Sequence, residues 1–206
     1  MAPLQRRMLL RLSSAGLAVS ALAGLVPRAA QATVAIEGVS FEDRITLAGR
    51  ELLLNGTGLR AAGWFKLYVA ALYLPSRASS SEQALAIAGP KRMRVVLLHE
   101  APGPEFAKAV DKGVLRNASA TEQEALRERL TRLTNQMRAV AEVQRGDIVD
   151  LDYDPARGTL MLINGKAQAA AIPGVDFYAA LLRSFIGEQP YHRDLRAGLL
   201  GAAPKR

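Results

Sequence analysis

A strongly apolar stretch in the first half of the sequence carries polar side chains that could hold a ligand together. Arg60 precedes this stretch, and Lys66 and Tyr68 share one face of the strand predicted from Trp64 to Leu74. A guanidinium can hold a carboxylate through two hydrogen bonds, and a neighbouring phenol can donate another. Against an apolar wall, this combination favours an amphipathic acid as ligand. Spacing alone leaves a structural alternative open, in which Arg60 pairs with an internal carboxylate and Lys66 extends to water.

The glycines just before Arg60 resemble a dinucleotide-binding loop only loosely. Gly56-Thr57-Gly58-Leu59-Arg60-Ala61 fits the pattern GxGxx[GA]. That chemistry needs a helix after the loop to hold the pyrophosphate, and the segment that follows here is predicted to be a strand. We therefore interpret Asn55 to Gly58 as a break between two predicted strands. Its glycines would form a turn that places Arg60.

Other common catalytic and metal-binding patterns are missing from the sequence. Asp150, Asp152 and Asp154 have the spacing that opens a calcium loop, but Pro155 and Met161 stand where that loop needs Gly and Glu. We interpret these aspartates as the solvated face of a half-exposed strand. The sequence has no cysteine and only two histidines, which argues against a zinc site or a Cys/His nucleophile. We predict neither a metal nor a cofactor.

The order of predicted elements indicates an α+β fold, because strands come first, helices fill the middle, and strands and a helix return. The segment Val34 to Phe41 is predicted to be one strand, bulged near Gly38. Thr121 and Glu124 form a predicted capping box that opens a helix. That helix carries an apolar stripe, which favours packing on the core over seating a partner helix. The stripe consists of Leu126, Leu130, Leu133, Met137 and Val140.

The sequence resembles the chalcone isomerase-like family at its most informative stretch. The resemblance rests on three segments: Gly56-Thr57-Gly58-Leu59-Arg60, then Phe65-Lys66-Leu67-Tyr68 with Tyr73-Leu74, and Leu181 to Gly187 near the C-terminus. It implies an open-faced antiparallel β-sheet packed against a layer of α-helices, with a ligand cleft between them. It also implies that Arg60, Tyr68 and Ser184 bind the ligand. Helix periodicity agrees for Ser184, which shares a face with Phe177, Leu181 and Phe185.

Two positions depart from the pattern of the true isomerases. The resemblance implies a Tyr and an Asn, seven residues apart, on the first helix of the middle segment, and this sequence has Phe106 and Gly113 there. Both hydrogen bonds to a flavonoid would be lost, and Tyr68 in place of Thr resembles the fatty-acid-binding branch. The leading hypothesis is therefore a non-catalytic binder of a fatty acid or similar amphipathic carboxylate. The alternatives are an isomerase of a chalcone or other enone, with Arg60 stabilising the oxyanion, and a structural or partner-binding periplasmic protein with an empty, collapsed cleft.

The charge of the chain is a poor guide to its partners. The formal net charge is +8, but residues 1–32 contribute four arginines and no acid, so the rest of the chain carries +4. Aromatic residues make up only 5% and do not alternate with the basic ones. Nucleic acid is therefore not an expected partner. No second apolar span follows Thr33, and we expect no transmembrane segment in the mature chain.

The first 32 residues have the features of a cleavable export signal. Arg6 and Arg7 precede a short run of small and apolar residues, and Ala30-Gln31-Ala32 offers signal peptidase its small-x-small site. The paired arginines also resemble a twin-arginine signal. We expect a chalcone isomerase-like domain over residues 33–206 and a periplasmic or secreted mature protein.

Overall fold

The computed structural model describes residues 32–190 and 192–202, which form an α+β fold. In chain order the described strands are β1 (Thr33–Ile36), β2 (Val39–Glu42), β3 (Arg44–Leu47), β4 (Arg50–Ala62), β5 (Phe65–Leu74), β6 (Lys91–Leu97), β7 (Ala101–Pro102), β8 (Glu142–Val143), β9 (Ile148–Asp154), β10 (Gly158–Ile163) and β11 (Lys166–Ala167). The described helices are α1 (Ser81–Ala86), α2 (Gly103–Arg116), α3 (Ala120–Ala139), α4 (Val175–Ile186) and α5 (Arg193–Leu199).

One antiparallel sheet organises the fold. Its seven strands lie in the order β11-β10-β9-β6-β5-β4-β3, and each neighbouring pair is antiparallel. The described residues also form two small sheets, β1-β2 and β7-β8. The helices cover one face of the large sheet, so the predicted α+β class and its sheet-and-helix layers are confirmed.

The main core lies between the sheet and the helices. Alternate residues of β5 and β6 face it, because side chains of a strand point to opposite faces in turn. These are Ala70, Leu72, Leu74, Met93, Val95 and Leu97. The stripe on α3 packs against the same core, with Leu126, Leu130, Leu133 and Met137 buried and Val140 partly buried at the helix end. Its core-facing interpretation is thus confirmed.

A hairpin covers part of the opposite sheet face. The segment predicted as one bulged strand is in fact β1 and β2, joined by a two-residue turn at Glu37 and Gly38. Both turn residues have positive φ, 51° and 78°, which suits the tight turns that match the twist of a hairpin. The prediction was wrong because alternation resumes after the turn. Phe41 of this hairpin is buried in a second core with Val69 and Tyr73.

Asp150 and Asp152 of β9 are buried, which corrects their interpretation as part of a solvated face, while Asp154 at the strand end is partly exposed. Asp150 and Asp152 are 3% and 2% exposed. Arg94 donates two hydrogen bonds to Asp150, at 2.8 and 2.9 Å, and Arg92 donates two to Asp152, at 2.6 and 2.5 Å. The strand register places these partners directly opposite one another on β6 and β9. A buried carboxylate is tolerated because it is paired in this way.

Gly56 and Gly58 do not form a break, because β4 runs through them, with a bulge at Asn55 where its pairing with β5 shifts by one residue. Helix α5 crosses the strand here so closely that the two backbones are in contact. A Cβ at Gly56 would lie 2.1 Å from the Gly198 carbonyl oxygen, and one at Gly58 would lie 2.8 Å from that of Leu195. The glycines therefore serve close packing of a helix on a strand rather than a turn.

The capping box of α3 lies two residues earlier than predicted. Ser119 is the N-cap, its hydroxyl accepts from the Glu122 backbone N–H, and the Glu122 carboxylate accepts from the Ser119 N–H. Thr121 and Glu124 repeat the same spacing inside the first turn. Sequence spacing could not separate two overlapping boxes.

Candidate functional site

A cleft of about 380 Å³ lies between the sheet and the helices. Its walls come from β4, β5, β6 and β9 on one side and from α2, α3, α4 and α5 on the other. The interior is mainly apolar. Its apolar lining includes Leu67, Val95, Leu97, Val110, Val149 and Leu151. This volume lies within the range of small-molecule sites.

All three residues predicted to bind a ligand line this cleft: Arg60, Tyr68 and Ser184. Arg60 and Tyr68 are directly opposite each other on β4 and β5, so their side chains emerge side by side on one face of the sheet. Both are partly buried, and each makes contacts within the folded chain. Ser184 approaches from α4. The structure thus brings the three together, while their role in binding stays a prediction.

Lys66 does not share the face of Tyr68, contrary to prediction. The register pairs Arg60 with Tyr68 and Ala61 with Lys66, so Leu67 is an extra residue on β5. Because successive side chains alternate, this bulge turns Lys66 to the opposite face. There its ammonium lies 2.6 Å from the Glu37 carboxylate. A bulge leaves no mark in the apolar pattern of a strand that is covered on both faces.

Ser184 already has a hydrogen-bond partner. It is 7% exposed, and its hydroxyl donates to the Leu181 carbonyl oxygen at 2.6 Å. A buried hydroxyl needs a polar partner, and this one finds it within its own helix. A carboxylate only accepts hydrogen bonds, so Ser184 would have to turn its hydroxyl away from Leu181 to bind one.

The structure explains one of the two departures from the isomerase pattern. Helices α2 and α4 meet at Gly113, where an added Cβ would lie 2.7 Å from the Ser184 Cβ. Carbon atoms of packed side chains normally stay about 3.5 Å or more apart, so this position has no room for an asparagine as the helices now pack. Phe106 also lines the cleft and adds an apolar ring where a phenol would have added a hydroxyl.

Both histidines of the chain line the cleft, and sequence reasoning had not placed them there. The His99 ring stacks on Phe65, with centroids 4.3 Å apart. His192 precedes α5, and its Nδ1 is buried without a hydrogen-bond partner in the described part of the chain. Their rarity was the only signal in the sequence, and it gave no hint of their proximity.

Charged residues from α2 and the loop before it also line the cleft. Lys108 and Lys112 lie one helical turn apart, and Glu100 and Glu105 contribute the opposite charge. Lys108 lies 3.9 Å from Glu105 in an exposed ion pair. Among the described residues, no group of three or more histidines and carboxylates is arranged to hold a metal ion.

Comparison with known proteins identifies the family. The sequence model described as chalcone isomerase-like matches residues 33–201. The chain belongs to the chalcone isomerase-like family. This confirms the resemblance drawn from the motifs around Arg60 and Tyr68.

Among solved structures, the fold is similar to that of a fatty-acid binding protein from Arabidopsis thaliana. The two share 17% sequence identity and a TM-score of 0.62, over 82% of this chain and 96% of that one. At this identity the likeness shows the fold. A comparison with curated proteins found no match. None of the helices in residues 32–190 and 192–202 has the length and apolarity needed to span a membrane.

Proposed function

We propose that this chalcone isomerase-like protein is a non-catalytic binder of a fatty acid or a similar amphipathic carboxylate. The observation that carries the proposal is the cross-strand pair of Arg60 and Tyr68 in the wall of a mainly apolar cleft. The pair offers a guanidinium and a phenol side by side, and together these groups can bind the carboxylate head group of such a ligand. The remaining surface suits a hydrocarbon tail.

The free energy of binding favours a charged head group beside Arg60 and Tyr68. A carboxylate taken from water into a protein must be paired, or the cost of burial exceeds the gain from the tail. Arg60 supplies a permanent charge and planar donors, and Tyr68 supplies a further donor. The tail then gains roughly 25 cal/mol for each Å² of apolar surface removed from water.

The cleft does not favour the alternative, isomerisation of a chalcone or other enone. Phe106 carries no hydroxyl, and Gly113 is closed by Ser184, so two groups of the isomerase pattern have no counterpart. The third hypothesis, a collapsed cleft, disagrees with a cavity of about 380 Å³. The similarity in fold to a fatty-acid binding protein supports the binding hypothesis.

The proposal is tested by the lipid that the protein carries. Denaturing the purified protein and extracting it should release a fatty acid, identified by mass spectrometry. Arg60→Ala should lose this ligand, because the carboxylate then has no counter-charge. Arg145→Ala, at an exposed arginine outside the cleft, should retain it.

Two results would contradict this assignment. An unchanged lipid content in Arg60→Ala would remove Arg60 from the site. Acceleration of chalcone ring closure above the spontaneous rate, lost in Arg60→Ala, would favour the isomerase instead.

We further propose that residues 1–32 are an export signal and that the mature protein acts in the periplasm or outside the cell. Two features support this. The first described strand begins at Thr33, and the family match begins at the same residue. Cleavage after Ala32 would remove no strand residue, and among the described contacts it would cost the hydrogen bond from the Asp43 N–H to the Ala32 carbonyl. Outside the cytoplasm a free acid is a more accessible ligand than an acyl thioester.

A further inference from the structure

His192 is a cleft residue whose two ring nitrogens have different surroundings. The ring lines the cleft, while Nδ1 is buried and has no hydrogen-bond partner in the described part of the chain. Since Nδ1 is buried, Nε2 is the ring nitrogen that a bound molecule can contact. His192 stands at the N-cap position of α5 and makes no side-chain capping bond, so the ring has no evident structural task there.

The burial of Nδ1 selects the tautomer of the neutral ring. One nitrogen of a neutral imidazole carries the proton and the other a lone pair. A buried N–H without an acceptor costs about 1–3 kcal/mol and is rare in folded proteins. The lone pair therefore belongs on Nδ1 and the proton on Nε2, which makes Nε2 a hydrogen-bond donor towards the cleft.

Few other cleft residues can donate to a carboxylate bound at Arg60 and Tyr68. Ser184 gives its proton to Leu181, the Phe106 side chain has no polar atom, and Gly113 has no side chain. Lys108 and Lys112 line the cleft from α2, where Lys108 lies 3.9 Å from Glu105 in an exposed ion pair. A carboxylate offers about four lone-pair positions, of which Arg60 and Tyr68 would fill up to three. His99 is the other imidazole in the cleft, but its ring is held in a stack with Phe65.

We propose that Nε2 of His192 donates a hydrogen bond to the ligand's carboxylate and so completes a head-group site with Arg60 and Tyr68. This inference rests on the proposed function and assigns it a third anchor. The site then draws on β4, β5 and the start of α5, so the ligand's head group ties the last described helix to the sheet. The tail lies along the apolar wall of β6 and β9.

Calorimetric titration with decanoate tests the assignment, on the mature chain after removal of co-purified lipid. His192→Leu keeps a side chain of similar bulk without a donor, and should weaken decanoate binding about 10- to 100-fold, as expected for a lost hydrogen bond to a charged group. His192→Gln, whose amide can donate from near the Nε2 position, should restore most of the affinity. His99→Leu is the matched control, and it should weaken binding much less.

Nitrogen NMR of the imidazole groups separates ligand contact from a purely structural role. If His192 were only structural, decanoate would not shift its Nε2 signal. The chain has only two histidines, so the spectrum of His192→Gln assigns both sets of signals. Before ligand is added, His192 should show the Nε2–H tautomer. Saturating decanoate should shift its Nε2 signal more than the signals of His99.

The outcomes separate this inference from the proposed function. Failure of the unaltered protein to bind decanoate overturns both. Binding by the unaltered protein that His192→Leu leaves unchanged overturns the role of His192 alone. An equal loss in the Leu and Gln variants, with an unmoved Nε2 signal, assigns His192 to structure and also overturns the inference.

Discussion

Gly113 shapes the cleft and also leaves no room for the asparagine of the isomerase pattern. It lies where α2 and α4 meet, and an added Cβ would stand 2.7 Å from the Ser184 Cβ. The absence of a side chain therefore lets the two helices approach and leaves Ser184 buried beside the cleft. The sequence showed that an isomerase group was missing here, and the structure adds that the present packing has no room for it.

Gly113→Ala should destabilise the protein by about 1–3 kcal/mol, because the new methyl overpacks the helix contact. In an open helix the same change would stabilise by about 1 kcal/mol, so the sign of the effect distinguishes the two situations. Urea denaturation measures it. Ser184→Gly removes the atom that the methyl meets. In that background Gly113→Ala should become neutral or stabilising, and a stabilising effect in the unaltered background would contradict the close contact.

At the scale of elements, β6 and β9 are joined by charge as well as by their backbones. Burial raises the pKa of Asp152, although Arg92 acts in the opposite direction. The hydrogen bond with Asp150 raises the pKa of Arg94 despite its burial. Both pairs are bidentate, a geometry that makes guanidinium–carboxylate contacts stronger than single hydrogen bonds. Asp150 is the more central carboxylate, since it also lies 3.6 Å from Arg92.

Asp150→Asn should destabilise the protein by about 3 kcal/mol or more, because the largely buried Arg94 guanidinium loses the carboxylate it pairs with and Arg92 loses a second contact. Asp152→Asn should cost less, since Arg92 keeps its contact with Asp150. Glu51→Gln is a matched control, as it removes an acid that Arg44 pairs with across β3 and β4 at an exposed position. It should change the free energy of unfolding by less than about 1 kcal/mol. Equal effects of the buried and exposed changes would contradict the argument.

The elements also show why local patterns misled in places. The alternation of Asp150 and Asp152 in the sequence is the same whether their side chains face water or pair with arginines on a neighbouring strand. A signal was nevertheless present, because Arg92 and Arg94 alternate with the same period in the segment that forms β6. Only the pairing of β6 with β9 turns these two patterns into ion pairs. Similarly, the bulge at Leu67 decides which way Lys66 points.

At the scale of the whole molecule, the described fold starts where the proposed signal ends. Strand β1 begins at Thr33 and pairs with β2, and its hairpin covers the sheet face opposite the cleft. Loss of residues 1–32 therefore leaves every described strand and helix intact. The proposed export and the proposed lipid ligand are compatible for this reason.

Expression of the full chain in a bacterial host should yield a periplasmic or secreted protein whose first residue is Thr33, because signal peptidase accepts Ala30 and Ala32. Intact-mass measurement and N-terminal sequencing check this. Ala30→Asp should block processing and serves as the control. Arg6→Lys with Arg7→Lys should stop export only if the route is the twin-arginine one. A mature protein that keeps residues 1–32 would contradict the signal assignment.

Sequence alone determined the fold class, the family resemblance and the three candidate residues Arg60, Tyr68 and Ser184, because strand and helix periods and a short motif are local properties of the chain. Tertiary structure decided which polar groups share the cleft. It turned Lys66 away through a bulge, gave the Ser184 proton to Leu181, and brought His192 from far along the chain to the sheet. These outcomes depend on strand register and helix crossing, which arise from packing between distant segments and leave no periodic trace in the sequence.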